Sequence, residues 1–194
     1  MSILVVAAMK EEAAVIAART GHEVLITGIG TLPAAIRLTR RLAQGPTPER
    51  VVNVGTAGAL RDIAGGVYEI ASVLKHDHKA LDIPGLTDFV YPRRLSLAAV
   101  SGLPAARLAT GDTFVNDSAL RAELARESDL VDMEGYALAA VCCEFGVPLT
   151  IMKQVSDSAD ESSGLSWPEA LAAAAEDLHS AVSATWQTPP RAPC

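Results

Sequence analysis

The sequence predicts a three-layer α/β/α sandwich around a central mixed sheet, and three observations carry that expectation. Apolar runs such as Ile3 to Ala8, Val51 to Val54 and Leu149 to Val155 show no polar alternation, the pattern of strands buried on both faces. Helical segments and short glycine turns alternate with these runs, as in sheets covered on both sides by helices. Hydrophobic residues make up 49% of the 194-residue chain but aromatics only 4%, so Ala, Val, Leu and Ile must build the core.

Each element follows from its local chemistry. The first strand, Ile3 to Ala8, leads into a helix over Glu11 to Arg19. A second strand, His22 to Thr27, breaks at Gly28-Ile29-Gly30. The helix from Leu32 to Leu42 comes next, with Pro33 in the first turn, where its missing N–H removes no helical bond. Val51 to Val54 is a third strand, and Gly55-Thr56-Ala57-Gly58 is expected to be the turn that stops it. Tyr68 to Leu74 and Arg107 to Thr110 are further strands; the proline-containing stretch between them has no readable pattern. Ser118 to Arg126 is helical, Leu130 to Met133 a short strand, and Glu134 to Phe145 a helix closed by Gly146 and Pro148. After the strand Leu149 to Val155, Ser166 caps a last helix, with Pro168 in its first turn and Glu169 completing a capping box. One domain over residues 1–187 and a disordered, proline-rich tail over 188–194 are expected.

Charge and composition exclude several functions. Sixteen Lys and Arg against 23 Asp and Glu give a formal charge of −7, which lacks the basic footprint of a nucleic-acid binder. The apolar run at the start is too short for a membrane span or a signal core and has no basic flank. Cys142, Cys143 and Cys194 do not form a disulfide framework, so reduced thiols and a cytoplasmic location are expected.

Ligands of such sheets bind beyond the carboxyl ends of the strands. The residues there are Glu11/Glu12, Gly28/Gly30, Gly55/Thr56, Thr110/Gly111/Asp112, Met133/Glu134 and Ser156/Asp157. Carboxylates separated by glycines suit a small polar site flanked by acid and base groups. The plainer alternative makes Glu11, Glu12 and Glu134 first-turn residues favoured by the helix dipole and Asp157 a turn residue. A dinucleotide fingerprint at Gly28-Ile29-Gly30 fails, because the next strand ends near Asn53 with no acidic residue to hold a ribose. His76 and His78 form a candidate metal pair without an evident third ligand, so no metal and no other cofactor is expected.

Six segments carry a resemblance: Ala8-Met9-Lys10-Glu11-Glu12, Thr27-Gly28-Ile29-Gly30, Asn53 to Leu60, Thr110-Gly111-Asp112-Thr113-Phe114-Val115, Val131-Asp132-Met133-Glu134-Gly135 and Val155-Ser156-Asp157-Ser158-Ala159-Asp160. In order and spacing the chain resembles the purine nucleoside phosphorylase/nucleosidase family, and within it the 5′-methylthioadenosine/S-adenosylhomocysteine nucleosidases most. The resemblance implies a phosphorylase/hydrolase-like fold and hydrolysis of the N-glycosidic bond of an adenosine-type nucleoside, in nucleoside catabolism and methionine salvage. It also implies a homodimer. Asp157 would protonate N7 of the purine and Glu12 would activate water. Met133 and Glu134 would hold the ribose, Phe114 would stack on the base, and Val115 would offer its backbone to the base edge. Trp167 would cap the base, Ser156 belongs to the Ser-Asp motif, and Gly55 and Thr56 lie where phosphorylases bind phosphate and nucleosidases hold water.

The chain departs from the family at definable places. It lacks the hairpin between the first helix and the Gly-x-Gly turn, Asp132 stands where a glutamate is usual, and Lys153-Gln154 replaces an Arg-bearing pair. After the first strand it has Met9-Lys10-Glu11-Glu12 instead of a phosphate-binding Gly-Asp-Pro and Arg cluster, and a second carboxylate there would repel a phosphate dianion. Water is therefore the expected acceptor. A phosphorylase and a non-catalytic nucleoside-binding protein are the alternatives.

Overall fold

The computed structural model describes residues 2–77, 91–163 and 174–183. The expected last-helix cap at Ser166, together with His78, Trp167 and the tail over 188–194, lies outside them. The elements run β1 (Ile3–Ala7), α1 (Lys10–Thr20), β2 (Glu23–Ile26), α2 (Thr31–Gln44), β3 (Arg50–Ala59), β4 (Val67–Lys75), β5 (Arg94–Ser96), β6 (Ala105–Thr110), α3 (Ser118–Leu124), β7 (Leu130–Asp132), α4 (Gly135–Phe145) and β8 (Leu149–Asp157). Residues 174–183 are helical.

The eight strands form one mixed sheet in the order β2-β1-β3-β7-β6-β4-β5, with β8 pairing both β3 and β4. β1 lies parallel between β2 and β3, with Val5 opposite Val24 and Val52. β3 runs parallel to β8 from the Val51–Leu149 pair to the Gly58–Asp157 pair, and its last residues turn to β7 in antiparallel register. Because β8 also pairs β4, and β4, β6 and β7 are successive neighbours, the pairings β3–β8–β4–β6–β7–β3 close on themselves. The expected sandwich therefore contains a sheet that curls into a ring along part of its length.

Helices cover the sheet on both faces. Leu38 and Leu42 of α2 and Leu138 and Cys142 of α4 share one core with Leu4, Val6 and Ile151. Ile16 of α1 and Leu178 of the 174–183 helix share the other with Val5, Val52 and Met152. Burial at i, i+4 and i+8 along α2 (Ala34, Leu38, Leu42) is what amphipathic periodicity demands. α1 and α4 end at Gly21 and Gly146, both in the left-handed region that terminates helices without steric cost.

One expectation is corrected. Gly55 to Gly58 is not a turn: β3 continues through it to Ala59, because β8 supplies parallel partners from Val51 to Gly58 and β7 pairs Gly58 and Ala59. The glycines serve close approach instead, since a Cβ on Gly58 would come within 3.0 Å of both Ala159 and the Asp157 carboxylate. Among the described residues Cys142 is a free, buried thiol. No helix among the described residues is long and apolar enough to cross a membrane.

Candidate active site

Four elements deliver carboxylates to one end of the sheet. Glu12 lies in the first turn of α1, Asp132 ends β7, Glu134 is the N-cap of α4 and Asp157 ends β8. A cavity of about 430 Å³ opens there, large enough for a small organic ligand. Of the residues singled out from the sequence, Glu12, Thr56, Phe114, Val115, Met133, Glu134, Ser156 and Asp157 all line it. Gly55 lies beneath, where a Cβ would meet Lys153 Nζ at 3.0 Å and Glu12 Oε1 at 3.1 Å.

Glu12 satisfies both readings offered for it. Its Oε2 accepts the Met9 N–H at 3.0 Å, closing the start of α1, while Oε1 accepts the Thr56 N–H at 3.0 Å. A helix-start carboxylate thus also faces the cavity, and the Thr56 hydroxyl donates to the same oxygen at 3.3 Å.

Beside Glu12 lies a buried charge cluster. Lys153 Nζ and Asp132 Oδ2 pair at 2.9 Å with both side chains almost fully enclosed, joining two strands that are not hydrogen-bonded to each other. Asp132 also accepts from Thr110 Oγ1 at 2.6 Å and from the Gly135 N–H at 2.9 Å, so its carboxylate is well compensated. Burial opposes the charge on Lys153, but Asp132, Glu134 and Glu12 outweigh it and hold the ammonium above its usual range. The two departures from the family pattern, Asp132 and Lys153, are therefore partners. Neither was expected to touch the other, because they are 21 positions apart on unpaired strands.

Glu134 is the least compensated member. Burial first, and then the neighbouring Asp132 charge, push its carboxyl up to about 7. Lys153 and the Gly30 N–H, which donates to Glu134 Oε1 at 2.8 Å, act in the opposite sense. The Gly30 contact joins residues 104 positions apart, and no local sequence signal could have revealed it.

The other end of the cavity is built by local contacts. Ser156 Oγ donates to Asp157 Oδ2 at 2.7 Å and the Ala159 N–H donates to Oδ1 at 2.8 Å. Ala159 is the one non-glycine with positive φ among the described residues, at 51°, a conformation that costs an L-residue about 1 kcal/mol or more. That strain sits on the amide that orients Asp157. Phe114 is 44% exposed at the cavity edge, whereas Val115 is buried. His76 packs its ring against Gly111, and burial lowers its proton affinity despite the nearby Asp77 charge. Among the described residues no group of three or more His, Cys, Asp or Glu is placed to hold a metal.

Carboxylates gathered around one buried ammonium at the strand ends of a mixed sheet, beside an aromatic-edged cavity, define an enzyme of acid–base chemistry on a small polar ligand. The chain belongs to the phosphorylase superfamily, whose pattern it matches over residues 2–186. It is 35% identical over 179 residues to a 5′-methylthioadenosine/S-adenosylhomocysteine nucleosidase of Geobacillus kaustophilus, covering 81% of this chain and 74% of the relative. A nucleosidase of the same name from an Exiguobacterium strain is 32% identical over 170 residues, 76% of this chain and 72% of the relative. The fold superimposes with a TM-score of 0.82 on a mutant of Helicobacter pylori MTAN bearing 5′-methylthioadenosine, at 23% identity over 94% of this chain and 96% of that one.

Proposed function

We propose that the protein hydrolyses the N-glycosidic bond of an adenosine-type nucleoside such as methylthioadenosine or adenosylhomocysteine and releases the free base. The observation that carries this reading is the convergence of Glu12, Glu134 and Asp157 from three distant points of the chain on one cavity edged by Phe114. It agrees with the activity named for the relatives.

The chemistry divides the residues by role. Cleavage leaves positive charge on the ribose and negative charge on the departing purine, so the site must supply both a carboxylate field and a proton. Glu12 takes a proton from water as its oxygen bonds to C1′. Asp157, oriented by Ser156 and Ala159, gives a proton to N7 as the C1′–N9 bond breaks. Glu134 accepts the ribose hydroxyls, for which a carboxylate is the fitting bidentate acceptor. Met133 packs under the sugar, Phe114 stacks on the base, and Val115 meets its edge. Gly55 and Thr56 flank the water; Trp167, outside the described residues, keeps the base-capping role that the family resemblance implies.

Water is favoured over phosphate because Glu12, Asp132 and Glu134 crowd the acceptor side while Lys153 is committed to Asp132. Lys10, the other cation near Glu12 in sequence, is exposed at the start of α1. Incubating the protein with methylthioadenosine, with and without phosphate, should yield adenine and a free thiosugar in both cases. Exclusive formation of the sugar 1-phosphate would overturn the assignment.

The enzyme is read as a cytoplasmic homodimer acting in methionine salvage. Ile29, Leu32 and Ile36 leave an apolar surface beside the cavity, 51%, 67% and 48% exposed, which a second copy would cover. Sedimentation equilibrium checks this, with a monomer as the contrary result.

A further inference from the structure

We infer that Asp112 is a positioning residue whose carboxylate ties the start of α2 to the base-side loop and thereby holds the Gly30 amide on Glu134. The inference deepens the nucleosidase reading and rests on it for its kinetic arm.

α2 begins without a cap of its own. Gly30, its N-cap, has no side chain, its first turn carries no acidic residue, and Pro33 has no N–H. Asp112 supplies what is missing from elsewhere in the chain: Oδ1 accepts the Thr31 N–H at 2.7 Å and Oδ2 accepts the Thr31 hydroxyl at 2.5 Å. A carboxylate at a helix N-terminus also meets the positive end of the helix dipole.

The consequence falls on the residue just before. Gly30 has φ +105° and ψ 160°, a conformation that L side chains rarely adopt and that must be maintained by its neighbours. A Cβ there would lie 3.1 Å from Asp112 Oδ1, so the carboxylate also packs directly over this glycine. In this conformation the Gly30 N–H reaches Glu134 Oε1.

Asp112 is itself anchored. Its N–H donates to Asp77 Oδ2 at 3.0 Å, Asp77 pairs with Lys75 at 3.1 Å, and the His76 ring lies against Gly111. Two residues on, Phe114 and Val115 line the cavity. One side chain therefore joins the base wall to the ribose wall. Around Glu134 stand Asp132 from β7, Lys153 from β8 and Glu12 from α1. Around Asp112 stand Lys75 at the end of β4 and His76 and Asp77 just beyond it. Displacing the Gly30 N–H removes a donor that favours ionised Glu134 and leaves the opposing carboxylates in place.

The test uses Asp112→Ala and the milder Asp112→Asn, which keeps one acceptor for Thr31. Carbon-13 NMR of the Glu134 carboxyl in ligand-free protein, assigned by comparison with Glu134→Gln, reads its titration midpoint. The midpoint should rise by about half a pH unit or more in Asp112→Ala and by less in Asp112→Asn. KM for ribosides should rise about three- to tenfold in Asp112→Ala, with a smaller change in kcat. A midpoint unchanged in both variants, with only the melting temperature reduced, would make Asp112 a helix cap and nothing more. The NMR result stands whether or not the parent turns over a nucleoside, so it separates failure of this inference from failure of the nucleosidase reading.

Discussion

The two ends of the cavity are held by different physics. At the end proposed to hold the ribose, Glu12, Asp132, Glu134 and Lys153 are buried and electrostatically coupled, and each is positioned by elements far apart in sequence. At the end proposed to hold the base, Asp157 is oriented by the residue before it and the residue two after it, and Phe114 is partly open to solvent. Buried charges in a low-dielectric setting feel one another strongly, so a change at one must register at the others. A carboxylate oriented by its immediate neighbours can be altered with little effect on the rest of the fold. Damage at the base end should thus appear in the rate, and damage at the ribose end in stability and pH dependence as well.

The sharpest test of that contrast is Asp157→Asn. The amide keeps the volume and one acceptor but cannot deliver a proton, so the rate should fall about 10²–10⁴-fold with the melting temperature nearly unchanged. Single-turnover base release and thermal melting on the same sample decide it. A rate lost only in step with the folded fraction would remove the distinction between the two ends.

At the ribose end, Lys153→Met should cost about 3–5 kcal/mol of stability, because it leaves the Asp132 charge buried without its cation. Adding Asp132→Asn should restore much of that loss, since the amide can keep the Thr110 and Gly135 contacts. Urea unfolding of Lys153→Met, Asp132→Asn and the double variant measures the recovery, and strictly additive losses would show that the pair is not coupled.

The smallest effect expected is a pH dependence. The Glu134 carboxyl is raised from its ordinary 4.5 to about 7 in the fold, so the folded protein binds more protons than the unfolded chain between those values. Its contribution to stability is fully present below pH 4.5 and is lost as pH rises through about 7. The ribose acceptor we propose is the ionised form of Glu134, so kcat/KM should rise over the same upper range in which stability falls. Glu134→Gln should flatten the stability slope and abolish that limb of the activity profile, as read by melting curves and initial rates from pH 5 to 8. A parent whose melting temperature climbs steadily through pH 7 would contradict this account.

Much of this arrangement was legible before any coordinates. The first-turn position of Glu12 and the strand-end positions of Glu134 and Asp157 follow from apolar runs that stop at polar residues, and all three reach the cavity. Gly55 to Gly58 misled, because glycine favours turns in isolation, and its other use, letting a strand pass close to side chains, depends on β8 and Glu12. Lys153 and Asp132 stood out only as unusual residues. Their partnership needed the closed strand pairings.

The sequence by itself determined the elements and the chemistry of their ends. Hydrophobic periodicity, glycine stops and helix-start carboxylates act over a few residues, so their free energies are visible in a short window. Tertiary structure alone decided which charges became neighbours: Lys153 with Asp132, Gly30 with Glu134, and Thr31 with Asp112. Those choices depend on desolvation and Coulomb interactions between groups that only chain closure brings together, and no local pattern encodes the distance between them.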